Sequence, residues 1–162
     1  MSETEAARDE ADRGFASLDG LNAVVTGSSS GIGREIALEF GRAGANVIVH
    51  CRESLEAAQE IAADIRSMGR LAAVVQGDIR NREVLQELIE SSWSCFSPID
   101  VWVNNAGVDL LTGDSAKLPY DEKLQQLLQG DVTSTVLLSK AVGHRMLKEG
   151  GCILNVGWDQ AE

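Results

Sequence analysis

The segment TGSSSGIG, residues 26–33, carries the clearest chemical signal in the sequence. Its glycines follow a short apolar run and precede a stretch with helical spacing. Gly27 permits a tight turn, Gly31 lets the backbone approach a phosphate, and Gly33 lets the helix pack closely on a sheet. The N–H groups of the helix N-terminus, with hydroxyls such as that of Ser29, can then face an anion. The pattern predicts a nucleotide site, and an ordinary glycine-rich turn is the alternative.

The segment HCRES, which follows the second apolar run, bears on which nucleotide binds. An acidic residue at this place would bind ribose hydroxyls and would repel a 2′-phosphate. Here His50 and Cys51 are followed by Arg52, whose guanidinium can pair with a phosphate through two hydrogen bonds. Arg52 therefore favours NADP(H) over NAD(H) as the cofactor. The alternative is a solvated charge at the start of a helix, and Glu53 beside it weakens the signal.

Two later segments add polar groups after apolar runs. In GDIR, Asp78 can accept a hydrogen bond from an adenine amino group, and Ile79 can pack on the ring. Asp78 could equally be the N-cap of the next helix. In NNAG, residues 104–107, two adjacent amides could join neighbouring strands and let a ribose lie against the backbone. Common turn chemistry is the alternative there.

The elements that must position these segments alternate along the chain. Short apolar runs predict strands within residues 21–27, 46–50, 71–78, 99–107 and 152–156. Amphipathic stretches predict helices within residues 31–44, 54–69, 82–96 and 120–150, the last interrupted at Gly130. The predicted fold is α/β: a doubly wound parallel sheet of the Rossmann type, with five strands covered on both faces. The loops at the carboxyl ends of its strands would form the binding site.

Together these segments resemble the short-chain dehydrogenase/reductase family, over roughly residues 18–158. TGSSSGIG is similar to the family motif TGxxxGIG, and NNAG follows it at the usual distance. GDI lies where the family has its adenine-contacting Asp, and GGCILNV is similar to its fifth strand. Within the family the chain resembles 3-oxoacyl-[acyl-carrier-protein] reductases and glucose dehydrogenases. The resemblance implies an NADP(H)-dependent oxidoreductase that transfers a hydride to or from a small-molecule carbonyl or alcohol.

The resemblance also implies where each part of the cofactor would lie, loop by loop. The pyrophosphate would lie against Gly27, Ser29, Gly31, Ile32 and Gly33, and the 2′-phosphate would meet Arg52. Adenine would be held by Asp78 and Ile79, and the ribose by Asn105, Ala106 and Gly107.

The catalytic half of the family pattern departs at visible positions. In the family a Tyr exchanges the proton, and a Lys four residues later lowers the pKa of that Tyr. A Ser after the fifth strand orients the substrate oxygen, and an Asn completes a water relay. Here Asp131 stands at the Asn position and Trp158 at the Ser position. The Tyr–Lys pair would follow residue 162, so we expect a chain truncated at its C-terminus that lacks the last strands. The only Tyr, Tyr120, is expected at the surface.

Composition and charge limit the other functions. A net charge of −11 argues against nucleic-acid partners and anionic membrane surfaces, and no apolar run is long enough to span a membrane. The cysteines lack CxxC spacing, which predicts no metal site, and reduced cysteines favour the cytoplasm. Residues 1–20 are acidic and poor in apolar side chains, which predicts a disordered tail before one domain, residues 21–162.

Three hypotheses remain open at this point. The first is an oxidoreductase of which this chain retains the cofactor-binding half. The second is a non-catalytic nucleotide-binding or regulatory module, a pseudoenzyme, suggested by Asp131 and Trp158. The third is a product that does not fold stably, because missing strands would leave the edge of the fifth strand exposed. The helices within residues 81–95 and 120–149 could also join two copies, and core packing is the alternative for them.

Overall fold

Five parallel strands form one sheet in the computed structural model, which describes residues 17–157. They are β1 (Asn22–Val25), β2 (Asn46–Cys51), β3 (Ala72–Gln76), β4 (Val101–Asn104) and β5 (Cys152–Asn155). Their order across the sheet is β3-β2-β1-β4-β5, and every connection between them is a crossover through helical structure. The predicted doubly wound parallel sheet is confirmed.

Helices connect the strands and cover the sheet. They are α1 (Gly31–Arg42), α2 (Leu55–Ser67), α3 (Arg82–Cys95), a 3₁₀ turn (Ser115–Lys117), α4 (Tyr120–Leu127), a π-helical segment (Leu128–Thr133) and α5 (Ser134–Met146). The last three are continuous. The interruption predicted at Gly130 is therefore a π-helical segment within one long helix. Such segments are frequent at functional sites.

Both faces of the central strands are buried, and this explains their uninterrupted apolar sequences. Successive side chains of a strand point to opposite faces. Val25 and Val49 pack on one face against α1 and α2, whereas Val24, Ile48 and Trp102 pack on the other against α3 and α5. Each face has its own apolar core, so β1 and β2 are held from both sides.

The direction of winding reverses beside β1. From β1 the chain proceeds outward through β2 to β3, and then returns to the other side of β1 as β4. The loops after β1 and β4 therefore leave the sheet in opposite directions and open a crevice at the carboxyl ends of these strands.

The strand predicted within residues 152–156 is confirmed as β5, but the prediction that it is buried was wrong. Cys152 is exposed, and Leu154 and Val156 are 47% and 42% exposed. Ile153 packs against the core on the α5 side. Within residues 17–157, no helix covers the opposite face of β5 and no strand pairs with its outer edge. Its apolar sequence is that of a two-sided strand, but only one of its sides is covered.

Two residues just before the predicted boundary near residue 20 contact the folded domain. Leu18 packs against the core beside α1, and its N–H donates to the carbonyl of Ala43 at 2.8 Å. Asp19 pairs with Arg70. Leu18 is a single apolar residue among polar ones, so the sequence did not distinguish residues 17–20 from the acidic stretch before them. Of the disordered tail predicted for residues 1–20, residues 1–16 lie outside the described residues.

Candidate functional site

A polar cavity of about 610 Å³ opens at the carboxyl ends of the strands. The loops after β1, β2, β3 and β4 all contribute to its wall, together with residues 112–115 and the π-helical segment. The structure thus brings together most of the site residues predicted from the sequence. Those that line the cavity are Gly27, Ser29, Arg52, Asp78, Ile79, Asn105, Ala106 and Gly107.

The glycines of the loop after β1 have three different roles. Gly27 has φ +63°, and a Cβ on it would lie 2.7 Å from the Cα of Ala106. A Cβ on Gly33 would lie 2.3 Å from Nδ2 of Asn105 and 2.5 Å from the Gly27 carbonyl oxygen. Gly31 has φ +56° with open space around it. Gly27 and Gly33 therefore allow close packing of two loops, and Gly31 lets the chain turn into α1.

The N-terminus of α1 is available to a ligand. Its N-cap, Ser30, makes no side-chain hydrogen bond to the helix, so the first amides of α1 are not capped. Ser29 and Ser30 line the cavity beside them. Uncapped amides at a helix N-terminus attract anions. Ile32 does not line the cavity, and its side chain is 55% exposed.

His50, which the sequence reading noted without assigning a role, is the most deeply buried titratable group at the cavity. It is 2% exposed. Its Nδ1 accepts from the N–H of Gly27 at 3.0 Å, and its Nε2 lies 3.0 Å from the carbonyl oxygen of Gly77. Burial lowers the pKa of His50 from 6.5 to about 4, so the imidazole is neutral at neutral pH. One signal was visible in the sequence: a polar residue within an apolar strand must find partners.

Arg52 lies on the β2 side of the cavity. Its guanidinium is about half exposed, and Nε lies 3.0 Å from Oε1 of Glu53. Both partners are exposed enough that this ion pair is worth at most about 1 kcal/mol. Arg52 can therefore exchange Glu53 for another anion at low cost. Cys51 before it is fully buried, so no carboxylate ends β2.

Asp78 is held by Arg80 on the β3 side of the cavity. Nε of Arg80 donates to both carboxylate oxygens, at 3.0 and 3.1 Å, and Nη2 donates to Oδ2 at 2.6 Å. The hydrogen bonds from Arg80 lower the pKa of Asp78 below its usual range. The alternative that Asp78 caps the next helix was wrong: Asn81 is the N-cap of α3, and it accepts from the N–H of Glu83 at 2.9 Å.

The NNAG turn after β4 joins three strands, as its adjacent amides suggested. Asn105 Nδ2 donates to the carbonyl of Thr26 at 2.9 Å, and the Thr26 hydroxyl accepts from the backbone N–H groups of Asn105 and Ala106. Asn104 Nδ2 donates to Oδ1 of Asn155 in β5 at 2.8 Å. The side chain of Asn105 thus holds the loop after β1, while Ala106 and Gly107 face the cavity with their backbone.

Asp131 lies in the π-helical segment, beside the same turn. Its Oδ1 accepts from the N–H of Val108 at 2.8 Å. Burial raises the pKa of Asp131 above its usual range, opposed by this hydrogen bond. Asp131 therefore fixes the turn after β4. Trp158, the other departure from the family pattern, lies outside the described residues. Tyr120, at the start of α4, is 80% exposed, as expected.

A sequence model described as "short chain dehydrogenase" matches residues 21–161, which is most of the chain. This chain belongs to the short-chain dehydrogenase family. Members of this family are NAD(P)-dependent oxidoreductases. The glycine loop, the Asp78 loop and the NNAG turn, which carried the resemblance, are the segments that meet at the cavity of this short-chain dehydrogenase.

Curated relatives support the same assignment. The 3-oxoacyl-[acyl-carrier-protein] reductase of Synechocystis is 38% identical over 83% of this chain, and 54% of the relative is covered. Glucose 1-dehydrogenase 2 of Bacillus subtilis is 35% identical, with 88% of this chain and 55% of the relative covered. The 3beta-hydroxysteroid dehydrogenase 1 of Eggerthella lenta is 33% identical, with 88% and 54% covered. The chain spans about half the length of these relatives.

Solved structures of short-chain dehydrogenases share the fold. A 7 alpha-hydroxysteroid dehydrogenase complexed with NADH and 7-oxo glycochenodeoxycholic acid is 32% identical, with a TM-score of 0.77. The alignment covers 87% of this chain and 54% of the hydroxysteroid dehydrogenase. A short chain dehydrogenase from Burkholderia cenocepacia in complex with NADP is 34% identical, with a TM-score of 0.76. It covers 86% of this chain, and 56% of that structure is covered.

Two further observations concern metals and membranes. Among residues 17–157, no group of three or more His, Cys, Asp and Glu side chains could hold a metal ion. In the same part of the chain, no helix combines the length and the apolarity that crossing a membrane requires.

Proposed function

We propose that this chain binds NADP(H) in the polar cavity, as the cofactor-binding half of a short-chain oxidoreductase. The observation that carries the proposal is that two anion-attracting groups, on the loops after β1 and β2, line the same cavity. The uncapped N-terminus of α1 meets one side, and the guanidinium of Arg52 meets the β2 side. Both attract phosphate groups, and they lie on loops that a dinucleotide can span.

The residues around the cavity fit the groups of this cofactor. The backbone at Gly31 has open space beside it, where a pyrophosphate can approach the α1 amides. Asp78 lines the cavity, and its Oδ2 can accept from an adenine amino group in exchange for one of the two hydrogen bonds that it accepts from Arg80. Hydroxyl, amide and charged side chains such as those of Ser29, Arg52 and Asp78 line the cavity, as suits a charged ligand.

The preference for NADP(H) over NAD(H) rests on Arg52. A carboxylate at the end of β2 would repel a 2′-phosphate, and the buried thiol of Cys51 occupies that place. One solved relative is in complex with NADP and another with NADH, so both cofactors occur among similar proteins. Glu53 would compete with the 2′-phosphate, because its carboxylate already pairs with Arg52.

Calorimetric titration of the chain with NADPH and NADH tests the proposal. We expect NADPH to bind more tightly, and Arg52→Ala to weaken NADPH at least about tenfold while NADH changes less than about threefold. Glu53→Gln is the matched control, since it removes the competing charge and should not weaken NADPH. Equal affinity of the unmodified chain for both cofactors would refute the NADP(H) assignment. Binding of neither would refute the nucleotide site.

The reaction of the whole protein is a separate part of the proposal. When bound, NADP(H) supplies or accepts a hydride, and we propose a small-molecule carbonyl or alcohol as its partner. The similarity to a ketoacyl reductase and to glucose and hydroxysteroid dehydrogenases supports this class of substrate. Asp131 contributes by fixing the turn after β4 through Val108. Assay of the whole protein with NADPH and a panel of ketones tests it; NADPH binding without turnover by the whole protein would favour the pseudoenzyme.

We also propose a cytoplasmic protein whose α3 and α4–α5 helices join two copies. The cysteines, Cys51, Cys95 and Cys152, are an odd number without CxxC spacing, and reduced cysteines of this kind are typical of a cytoplasmic protein. Apolar side chains of the long helix are exposed, and these are Leu124, Leu127, Leu128, Val132 and Val136. Sedimentation equilibrium decides the association: a monomer at micromolar concentration would refute it.

A further inference from the structure

The imidazole of His50 uses all of its hydrogen-bonding capacity at one place in the fold. The side chain is 2% exposed at the end of β2. The carbonyl of Gly77 can only accept, so the nitrogen facing it, Nε2, carries the hydrogen. Nδ1 is then a lone-pair acceptor, and the N–H of Gly27 donates to it. The neutral Nε2–H tautomer therefore satisfies both contacts at once, each at 3.0 Å.

The backbone of His50 holds the same loop as its ring. The His50 N–H donates to Oγ of Ser28 at 3.0 Å, and the His50 carbonyl accepts from the N–H of Ser28 at 2.9 Å. The Ser28 hydroxyl in turn donates to the carbonyl of Val25 at 2.7 Å. Three hydrogen bonds thus join His50 to Gly27 and Ser28, at the start of the glycine loop.

The imidazole ring contacts the amide of Gly27 and the carbonyl of Gly77, which belong to two different loops of the candidate site. Gly27 begins the loop that leads to Ser29 and to the N-terminus of α1. Gly77 precedes Asp78, on the adenine side of the cavity. No aliphatic side chain could join these loops, because the link requires an acceptor and a donor on opposite sides of one rigid group.

We propose that His50 is a positioning residue for dinucleotide binding, whose ring sets the separation between the glycine loop and the Asp78 loop. The inference rests on the proposed function. A ligand that reaches both loops gains from their being fixed in advance, because it does not have to order them on binding. A ligand that reaches only one loop gains little. The proposal therefore concerns ligands according to how much of the site they span.

The experiment compares two ligands on the full chain and three variants. NADPH spans both loops, whereas adenosine 2′-monophosphate reaches only the Asp78 and Arg52 side. We expect His50→Leu to weaken NADPH at least about tenfold, while adenosine 2′-monophosphate weakens less than about threefold. His50→Asn retains an acceptor for Gly27, and His50→Gln retains an amide that reaches Gly77. Both should weaken NADPH less than His50→Leu does.

Two measurements separate positioning from general loss of stability. Leu138→Ala removes buried apolar volume from the core that packs against α3 and α5, and it serves as the destabilised control. Nitrogen-15 NMR of the unmodified chain should show His50 as the neutral Nε2–H tautomer.

Several outcomes would overturn the inference. They are an equal loss for both ligands in His50→Leu, the same NADPH loss in Leu138→Ala, or an Nδ1–H tautomer. If the unmodified chain binds NADPH and the His50 variants bind it equally well, this inference alone fails. If the unmodified chain binds neither ligand, the proposed function fails, and this inference fails with it.

Discussion

At Gly33 the space of a side chain is already occupied by groups from two other loops. A Cβ there would approach Asn105 Nδ2 to 2.3 Å and the Gly27 carbonyl oxygen to 2.5 Å. The latter is backbone and cannot move without opening the turn after β1. Gly31 differs, because nothing lies within reach of a Cβ and only its positive φ opposes a side chain. The two glycines of the same motif are therefore required for different physical reasons.

We predict that Gly33→Ala lowers the free energy of unfolding more than Gly31→Ala does. Overpacking at Gly33 should cost about 1–3 kcal/mol. A left-handed backbone conformation at Gly31 should cost about 1 kcal/mol. Urea unfolding followed by circular dichroism measures both. If Gly31→Ala proves the more damaging, the packing role assigned to Gly33 is wrong.

For single residues, the place in the candidate site was more predictable than the hydrogen-bond partners. Gly27, Arg52 and Asp78 could be assigned to the cavity because their order along the chain places them after strands. The bonds of His50 could not be predicted, because they are made to backbone groups of Gly27 and Gly77, both distant along the chain. Backbone groups are the same at every residue, so no sequence pattern marks them as partners.

At the scale of elements, the π-helical segment is the feature that brings two loops together. Asp131 accepts from the N–H of Val108 in the turn after β4, and Gln129 Nε2 donates to the carbonyl of Arg80 in the loop after β3 at 3.1 Å. Gly130 lies against Val108, where a Cβ would come within 2.2 Å of its Cγ2. The extra residue of a π-turn thus places one side of the helix against two loops of the candidate site.

We predict a coupled effect for Gly130 and Val108. Gly130→Ala should lower the free energy of unfolding by about 1–3 kcal/mol, because the added methyl overlaps the Val108 side chain. In a Val108→Ala background the overlap is removed, and the cost of Gly130→Ala should fall by at least about 1 kcal/mol. A double-mutant cycle by urea unfolding measures the coupling. Additive costs would show that the contact with Val108 does not limit residue 130.

Strand β5 shows the limit of reading an element from its own sequence. Its run CILN predicted burial, yet Leu154 is 47% exposed. An apolar sequence indicates that both faces of a strand can be buried. It does not report whether another element is present to cover it, and in residues 17–157 the face opposite Ile153 has none.

For the whole molecule, the state of His50 links stability to pH. Burial lowers its pKa from 6.5 to about 4 in the folded protein. The unfolded chain therefore binds a proton at pH values where the folded protein does not. The stabilising contribution is complete above pH 6.5, and it is lost as the pH falls from 6.5 through about 4.

We predict that the unmodified chain loses stability in mild acid more steeply than His50→Gln. Relative to pH 7, this group should remove about 1 kcal/mol at pH 5.5 and about 2 kcal/mol at pH 4.5. The glutamine does not titrate, so the difference in unfolding free energy between the two proteins should narrow by those amounts. Asp131 titrates in both proteins, and Arg80 holds the pKa of Asp78 below its usual range in both, so neither carboxylate should account for the difference. Parallel stability curves from pH 7 to 4.5 would contradict the assignment.

The sequence by itself determined the alternation of strands and helices, the parallel doubly wound sheet, the glycine loop and the family. Each depends on local spacing, or on motifs whose order along the chain is enough. Tertiary structure alone decided that Gly33 packs on the NNAG turn, that Arg80 rather than α3 holds Asp78, and that β5 has an open face. It also decided the link through His50. These depend on which distant groups come within a few ångströms, and a linear pattern does not record such contacts.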